Sequence, residues 1–328
     1  MNKPFRHFHY TSPFTTIITM IKEKIYDKEL MDHISSLKDD KREVFLIADG
    51  EVRVSAVSAT RMVNEMRANH KTGLLETYML GQGYIAGALL SSEVKGNDRI
   101  RLEIECGGPV KGMSIESWAC GAVRGYLLRN PIPLDHELKS LDTNEIYGPG
   151  FLTVTKILEG SKTPFSGQIM MEYGHLAQDL ALYYKQSQET PSLFALSVHF
   201  DKMGRVWGAG GIFMQALPGC GEDVLESLQQ KASTMTDIGT FLSEGGTLKE
   251  YMEKEFSSFG VMSLDSSPIG FSCPCSKKGF EGYLKNLPEG EKKEILKGES
   301  PLVLQCFNCG TEYKFEKSDL ETLFTEEK

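Results

Sequence analysis

Alternation between apolar and polar positions predicts the secondary structure of the first half of the chain. Residues 52–57 alternate in this way after an Asp-Gly turn, which indicates a strand. Ser58 is the expected N-cap of a helix that ends near Asn69. A second and more apolar helix is expected over residues 72–94.

Strand signals dominate the region that follows. Gly107-Gly108-Pro109 is an expected turn between two of these strands, and a helix is expected over residues 174–186. Because strands outnumber helices and follow one another in hairpins, the predicted class is α+β, with a mainly antiparallel-sheet core domain. The expected strands are residues 99–106, 110–116, 121–128, 151–158, 167–171, 192–200 and 212–217.

The hydrophobic pattern changes beyond residue 219. Val224, Leu225 and Leu228 fall on one face of an expected helix. We interpret this region as a helical linker whose apolar faces dock on the larger domain, and the mostly polar residues 263–267 lead from it to the C-terminal cysteines. A second apolar stripe at helical spacing consists of Leu248, Tyr251, Met252, Phe256 and Phe259.

Composition and charge restrict the class of protein. The 328 residues are 40% hydrophobic and 25% charged, a globular balance that allows about two domains. The formal net charge of −9 disfavours a general binder of nucleic acid or of acidic membranes. No run of apolar residues is long enough to predict a membrane span. The expected partners therefore include neither nucleic acid nor membrane, and the expected compartment is the cytoplasm.

Residues 1–40 are interpreted as an N-terminal extension with a weak pattern. Their apolar segment, residues 14–21, is interrupted by threonines at 15, 16 and 19. No small-residue cleavage site follows, so the segment is not expected to be a signal peptide.

Motifs of nucleotide-binding and hydrolytic enzymes are not found in the sequence. Gly81, Gly83 and Gly87 form a loose glycine-rich pattern, but an expected helix carries it. A dinucleotide-binding loop requires a strand, a tight turn and then a helix, so close helix packing through small residues is the preferred interpretation. No Gly-x-Ser-x-Gly elbow, Walker loop or deaminase signature occurs.

The histidines and three of the cysteines give no sign of a second centre. No two of the seven histidines are paired at the helical spacing of metal ligands, and His199 alternates with apolar neighbours as a core residue would. Cys106, Cys120 and Cys220 are expected to be small buried hydrophobic residues, with Cys220 the most exposed of the three.

Four cysteines near the C-terminus form the one pattern with specific chemistry. Cys273 and Cys275 flank a proline, and thirty residues separate them from the pair Cys306 and Cys309. Two close pairs at this separation can present four thiolates to one tetrahedral metal ion, so one Zn²⁺ is expected in the reduced state. Gly310, directly after the second pair, allows the backbone amides to turn toward the sulfurs.

The residues alone leave two interpretations of this cluster open. It could be a static zinc ribbon, as many four-cysteine sites are. The cysteines of each pair are also close enough to form a local disulfide, and metal-bound sulfur is a thiolate, the form that oxidants attack. Residues 271–328 contain nine Lys, no Arg and eleven Asp or Glu, so a ribbon that binds phosphates is not indicated.

Together with the core, these pairs resemble the 33 kDa chaperonin family of redox-regulated heat-shock chaperones. The resemblance covers about residues 52–324, and the Cys-x-Cys and Cys-x-x-Cys pairs have the family's usual separation. Residues 210–218 resemble the family's glycine-glycine strand that ends in Gln-x-x-Pro. Residues 107–109 and 124–126 resemble its core turns. Residues 187–189 read Ser-Gln-Glu where the family usually has Ser-Glu-Gln.

This resemblance implies a chaperone core at residues 41–219, a helical linker at 220–269 and a zinc-binding redox-switch domain at 270–328. It implies that Cys273, Cys275, Cys306 and Cys309 bind zinc when reduced. On oxidation they would form the disulfides Cys273–Cys275 and Cys306–Cys309 and release the zinc. The implied activity is that of a holdase and not of an enzyme. Such a protein binds unfolded client proteins without nucleotide, prevents their aggregation and is a homodimer when oxidised.

Two functions from other classes remain as alternatives. One is a constitutive zinc-ribbon binding module, which a zinc content insensitive to oxidation would favour. The other is a thiol–disulfide oxidoreductase that uses Cys306 and Cys309. The oxidoreductase would need a thioredoxin-like strand-helix context, whereas Cys306 lies between two short expected strands.

Overall fold

The fold is seen in a computed structural model that describes residues 28–134, 140 and 142–325. It is an α+β fold with mainly antiparallel sheets, as the hydrophobic pattern predicts. The described strands are β1 (Lys41–Ile47), β2 (Val52–Ser58), β3 (Arg99–Cys106), β4 (Gly112–Trp118), β5 (Ala122–Leu127), β6 (Gly150–Ile157), β7 (Phe165–Met170), β8 (Ser192–Phe200), β9 (Val206–Ala216), β10 (Met262–Pro268), β11 (Gly270–Phe271), β12 (Leu302–Gln305) and β13 (Glu312–Phe315). The described helices are α1 (Lys28–Ser36), α2 (Thr60–His70), α3 (Leu74–Leu90), α4 (Asn144–Tyr147), α5 (Leu176–Ser187), α6 (Glu222–Ala232), α7 (Ile238–Ser243), α8 (Leu248–Phe256), α9 (Lys277–Lys285), α10 (Glu289–Lys297) and α11 (Lys317–Thr325).

Two large sheets and one hairpin contain these strands. The first sheet has the order β10–β1–β2–β9–β8, and every neighbouring pair is antiparallel. The second has the order β11–β5–β4–β3–β6–β7 and is antiparallel except where β11 joins β5. Strands β12 and β13 form a separate antiparallel hairpin.

The described chain divides into two compact units. The larger contains the described residues up to Phe271 together with the loop Cys306–Thr311, and both large sheets lie in it. The smaller contains Ser272–Gln305 and the segment that begins at Glu312, so it includes α9, α10, α11 and the β12–β13 hairpin.

Helix α3 is the buried centre of the larger unit. It packs against strands of both large sheets. A Cβ atom on Gly83 would lie 2.9 Å from Met113 Sδ, and one on Gly87 would lie 2.8 Å from Ile115 Cγ2. These distances confirm that the glycine pattern serves close packing. Neither α3 nor any other helix of the described residues is long and apolar enough to cross a membrane.

The N-terminus of α2 differs from the prediction. Ser58 is still paired within β2, so it does not cap the helix, and the residue at the N-cap position, Ala59, has no capping side chain. The carboxyl group of Asp40 accepts hydrogen bonds from the amides of Met62 at 2.6 Å and Arg61 at 3.4 Å. A residue from a different part of the chain therefore satisfies the amides that a local N-cap would satisfy.

Strand β9 begins at Val206 and is longer than predicted, so the glycine run at residues 208–211 lies within a strand. A Cβ atom on Gly208 would lie 2.1 Å from Gly239 O, and one on Gly210 would lie 2.6 Å from Leu242 Cδ1. The glycines thus allow α7 to lie directly on the sheet.

The helices of the predicted linker dock on the first large sheet, as their apolar stripes indicate. Their buried side chains form one cluster with residues of β1, β2 and β9. Burial of each large apolar side chain contributes about 1.5–3 kcal/mol. The cluster members from this region are Leu228, Ile238, Leu248, Tyr251, Met252 and Phe256.

Candidate metal and redox centre

The four C-terminal cysteines lie together in the structure. One sulfur from each of Cys273, Cys275, Cys306 and Cys309 lies within 4.8 Å of the other three. Tetrahedral coordination with metal–sulfur distances of about 2.3 Å places the sulfurs about 3.8 Å apart, so small movements would bring this set into that geometry. Three of the four side chains are buried and Cys275 is half-buried. The donor set therefore fits a closed structural zinc site.

The second pair is held in a tight turn. The amide of Cys306 donates to Thr311 O at 2.9 Å, and the amide of Gly310 donates to Cys306 O at 2.8 Å. Gly310 has a φ of +72°, a conformation that favours glycine. The turn thus sets the separation of Cys306 and Cys309, with the glycine at the position where the sequence requires a small residue.

The first pair lies between a strand and a helix. β11 pairs with β5 and ends two residues before Cys273, and Phe271 of this strand packs 5.9 Å from the ring of Tyr84. After Cys275, Ser276 caps α9 by accepting a hydrogen bond from the amide of Gly279. A strand and a helix therefore flank the short Cys-Pro-Cys segment and hold its two ends.

Two hydroxyl groups lie at hydrogen-bonding distance from two of these sulfurs. The Tyr313 hydroxyl is 3.1 Å from Cys275 Sγ, and the Thr311 hydroxyl is 3.3 Å from Cys309 Sγ. Neither residue was a candidate in the sequence, although both lie within four residues of Cys309.

The loop Cys306–Thr311 also contacts α2 and β5 within the larger unit. The ring of Phe307 lies 5.8 Å from the ring of Tyr126, and a Cβ atom on Gly310 would lie 2.5 Å from Asn69 O. This packing depends on the tertiary fold, and no local pattern in the sequence indicates it.

The three remaining cysteines are less suited to redox chemistry. All seven cysteines lie among the described residues and none is in a disulfide. Cys106, Cys120 and Cys220 are each half-buried, and Cys220 packs at the edge of the linker's apolar cluster. Burial raises the pKa of Cys106, and burial with the nearby Glu51 carboxylate raises the pKa of Cys220. A raised pKa leaves less thiolate for an oxidant to attack.

His199 does not have the buried position that its strand pattern predicts. Its side chain is 48% exposed, and its Nε2 atom lies 2.7 Å from Asp237 Oδ1. The alternation of β8 is weakened at this end of the strand because the register to β9 shifts between His199 and Phe200. In the part of the chain that the structure describes, the four cysteines are the one group of His, Cys, Asp or Glu with the geometry of a metal site.

Comparisons with known proteins show which proteins this chain is similar to. A family model described as "Hsp33 protein" matches residues 40–316. The 33 kDa chaperonin of Desulforamulus reducens is 32% identical over 277 residues, which cover 84% of this chain and 94% of that protein. The 33 kDa chaperonin of Geobacter sp. (strain M21) is 33% identical over 278 residues, with the same two coverages. The crystal structure of the 33 kDa chaperonin (heat shock protein 33 homolog) from Thermotoga maritima superimposes with a TM-score of 0.80 at 27% identity, covering 88% of this chain and 98% of that one.

Proposed function

Because this chain belongs to the Hsp33 family of chaperones, we propose that it is a redox-regulated holdase. It is inactive when reduced and zinc-bound, and oxidation activates it. The observation that carries the proposal is the cluster of four sulfurs within 4.8 Å of one another. Each of the two pairs in this cluster can also close a local disulfide, so one set of residues serves both states.

In the reduced state Cys273, Cys275, Cys306 and Cys309 would be the zinc ligands. Bound zinc would hold all four sulfurs as thiolates and contribute on the order of 10 kcal/mol or more to folding. The smaller unit has few large buried side chains, among them Leu284, Tyr313, Phe315 and Leu320. A core of this size is marginally stable without a metal or a disulfide.

Oxidation of each pair removes two electrons. With hydrogen peroxide, one thiolate attacks the O–O bond, becomes a sulfenic acid and releases hydroxide. The partner thiolate then displaces a second hydroxide and the S–S bond forms. Two peroxide molecules thus convert the centre into Cys273–Cys275 and Cys306–Cys309, and each hydroxide takes up a proton to become water. Disulfide sulfurs are poor metal ligands, so the oxidised cysteines would no longer hold zinc.

Loss of the metal centre would affect the linker because the two are adjacent in the sequence. Strand β10 is the C-terminal end of the linker, and β11 follows it, ending two residues before Cys273. When the cysteine segment loosens, the linker helices lose their C-terminal anchor and their apolar stripes separate from the first sheet. The exposed stripes, with the sheet surface they covered, form the apolar patches that bind unfolded client proteins.

The proposed organisation follows from this mechanism. Residues 41–219 are the chaperone core, residues 220–269 the linker and residues 270–328 the redox switch. The family model begins at residue 40, so residues 1–39 precede the region that it matches. The protein acts in the cytoplasm without catalytic turnover, binds clients as a homodimer when oxidised, and binds neither nucleic acid nor membrane.

The test measures zinc and chaperone activity in the same sample. Reduced protein is treated with peroxide, and zinc release and the aggregation of a thermally unfolded model enzyme are followed together. Zinc should leave as aggregation is suppressed, and reductant with added zinc should reverse both. If zinc stays bound and aggregation is unaffected, the centre is a static ribbon. Turnover of a small disulfide substrate would instead support the oxidoreductase.

A further inference from the structure

The Tyr313 hydroxyl lies 3.1 Å from Cys275 Sγ. We propose that Tyr313 is a positioning residue for the redox switch: its hydroxyl donates a hydrogen bond to the Cys275 sulfur and slows the reaction of that sulfur with electrophiles and oxidants. This inference rests on the proposed function, in which Cys275 is a metal-binding thiolate.

The structure fixes the position of this hydroxyl. Tyr313 lies on β13, which pairs with β12, and only 4% of the residue is exposed. Its ring packs 5.0 Å from the ring of Phe280 on α9. Because strand and helix hold the ring from two sides, the hydroxyl is directed at the sulfur with little freedom to turn away.

The direction of the hydrogen bond follows from the state of the sulfur. A sulfur that binds a metal ion has no proton, so the hydroxyl must be the donor. A donated hydrogen bond draws electron density from the sulfur and lowers its reactivity as a nucleophile. The first step of oxidation is nucleophilic attack by sulfur, so the hydroxyl acts as a brake on that step.

The brake is placed on the sulfur that solvent can reach. Cys275 is half-buried, whereas Cys273, Cys306 and Cys309 are buried. Burial limits the access of oxidants to these three sulfurs. At Cys275 access is greater, and Tyr313 lowers the reactivity instead. This contact therefore limits the oxidation of Cys275 when the oxidant concentration is low.

A second hydroxyl–sulfur contact provides an internal comparison. Thr311 lies 3.3 Å from Cys309 Sγ, and both residues are buried. In the thiol form Cys309 Sγ donates to Thr311 Oγ1. A metal-bound Cys309 sulfur has no proton, so the hydroxyl is then the donor, and removal of each hydroxyl should act on its own sulfur. This gives two matched variants: Tyr313→Phe should affect the Cys275 sulfur, and Thr311→Val should affect the Cys309 sulfur.

The experiment measures the alkylation of individual cysteines in the full-length, reduced and zinc-loaded protein. Iodoacetamide reacts with each thiolate to form a C–S bond as iodide leaves, and peptide mapping at low conversion gives the initial rate at each sulfur. Tyr313→Phe should increase the rate at Cys275 by about tenfold, at the lower end of what outer-shell partners of metal ligands change. The rate at Cys309 should not change. Thr311→Val should show the reverse pattern, and Tyr283→Phe, a tyrosine that is 69% exposed, should leave both rates unchanged.

Two outcomes would overturn the inference. In one, Tyr313→Phe leaves the Cys275 rate unchanged. In the other, Tyr313→Phe raises all four rates equally, which indicates general loosening. If Tyr313→Phe does not retain zinc, 3-fluorotyrosine at position 313 replaces it. This residue keeps the ring and is a stronger donor, so it should slow the Cys275 reaction; a faster reaction would contradict the inference. No oxidant or client is present, so failure of this inference would leave the holdase proposal standing. Absence of zinc from the wild-type protein would instead contradict the proposed function.

Discussion

The Nε2 atom of His199 lies 2.7 Å from Oδ1 of Asp237, and this pair joins β8 of the sheet to the residue that caps α7 in the linker. The same carboxylate oxygen accepts hydrogen bonds from the amide of Thr240 at 2.8 Å and from Ser197 Oγ at 2.9 Å. A single carboxylate thus both begins the linker helix and fastens it to the core.

This arrangement predicts that linker docking weakens in acid. Burial acts to raise the pKa of Asp237, but hydrogen bonds from the Thr240 amide, Ser197 and His199 hold it below its usual value. Because the folded pKa lies below the unfolded one of about 3.9, the stabilisation is present above about pH 4 and is lost as the pH falls further. The side chains are half-exposed, so the effect should not exceed about 1 kcal/mol.

Limited proteolysis of the linker between pH 3 and pH 7 measures this effect. Asp237→Asn keeps a capping side chain but has no charge to lose, so its cleavage rate should change less with pH than that of the wild type. Glu226→Gln, on the exposed face of α6, is the control. Equal pH dependence in the wild type and in Asp237→Asn would show that the carboxylate does not control docking.

The four-cysteine centre predicts a large effect of one substitution. Cys306→Ser removes one thiolate ligand, so the centre should lose zinc and the smaller unit should unfold in reductant. Metal analysis and protease resistance of residues 272–325 measure this result. Cys220→Ser, outside the cluster, should bind zinc and respond to peroxide as the wild type does. A folded, zinc-loaded Cys306→Ser protein would exclude a single four-cysteine site, and loss of activation in Cys220→Ser would place the sensor elsewhere.

The carboxyl group of Asp40 caps α2 from outside the helix, and its removal should destabilise the larger unit. Asp40→Ala leaves the amides of Arg61 and Met62 without this acceptor, which should cost about 1–2 kcal/mol. Asp40→Asn keeps an acceptor oxygen and should cost less. Asp39→Ala is the control, because the Asp39 side chain is 93% exposed. Urea unfolding curves measure the differences, and equal losses in Asp40→Ala and Asp39→Ala would exclude the cap.

The same group gives a second pH dependence of opposite sign. Burial, partly opposed by the two amide hydrogen bonds, raises the pKa of Asp40 to about 8. Since the unfolded pKa is about 3.9, the contribution to stability is complete below about pH 4 and is lost as the pH rises through about 8. Stability of Asp40→Asn relative to the wild type should therefore increase from pH 6 to pH 9. A constant difference over this range would contradict a neutral Asp40 in the folded protein.

The sequence predicts the elements whose cause is local and misses those whose cause is a distant partner. Most strands of both large sheets follow from alternation, and the four cysteines follow from their spacing. β10 is polar and largely exposed, and it is a strand because β1 supplies its hydrogen-bond partners. The cap of α2 comes from Asp40, about twenty residues before the helix begins. The contacts of Tyr313 with Cys275 and of Phe307 with Tyr126 likewise require the folded chain.

Gly310 links the geometry of the centre to the packing of its loop, and its replacement should disturb both. Alanine at this position would have to adopt a φ of +72°, and its Cβ would lie 2.5 Å from Asn69 O. The left-handed conformation alone costs roughly 1–2 kcal/mol, and the overlap adds to it. Gly310→Ala should therefore weaken the packing of Cys306–Thr311 on α2. Gly282→Ala, where a Cβ meets nothing within 4 Å, is the matched control.

Hydrogen exchange of the loop amides and the activity of the reduced protein measure the consequence. In Gly310→Ala the amides of residues 306 and 310 should exchange faster than in the wild type, because the hydrogen bonds of these two amides close the turn. A loosened turn holds Cys306 and Cys309 less well, so zinc should leave at lower peroxide concentrations and some anti-aggregation activity should appear without oxidant. Gly282→Ala should behave as the wild type in each assay. If Gly310→Ala matches Gly282→Ala in exchange and in activity, the loop contact does not contribute to the proposed inactive state.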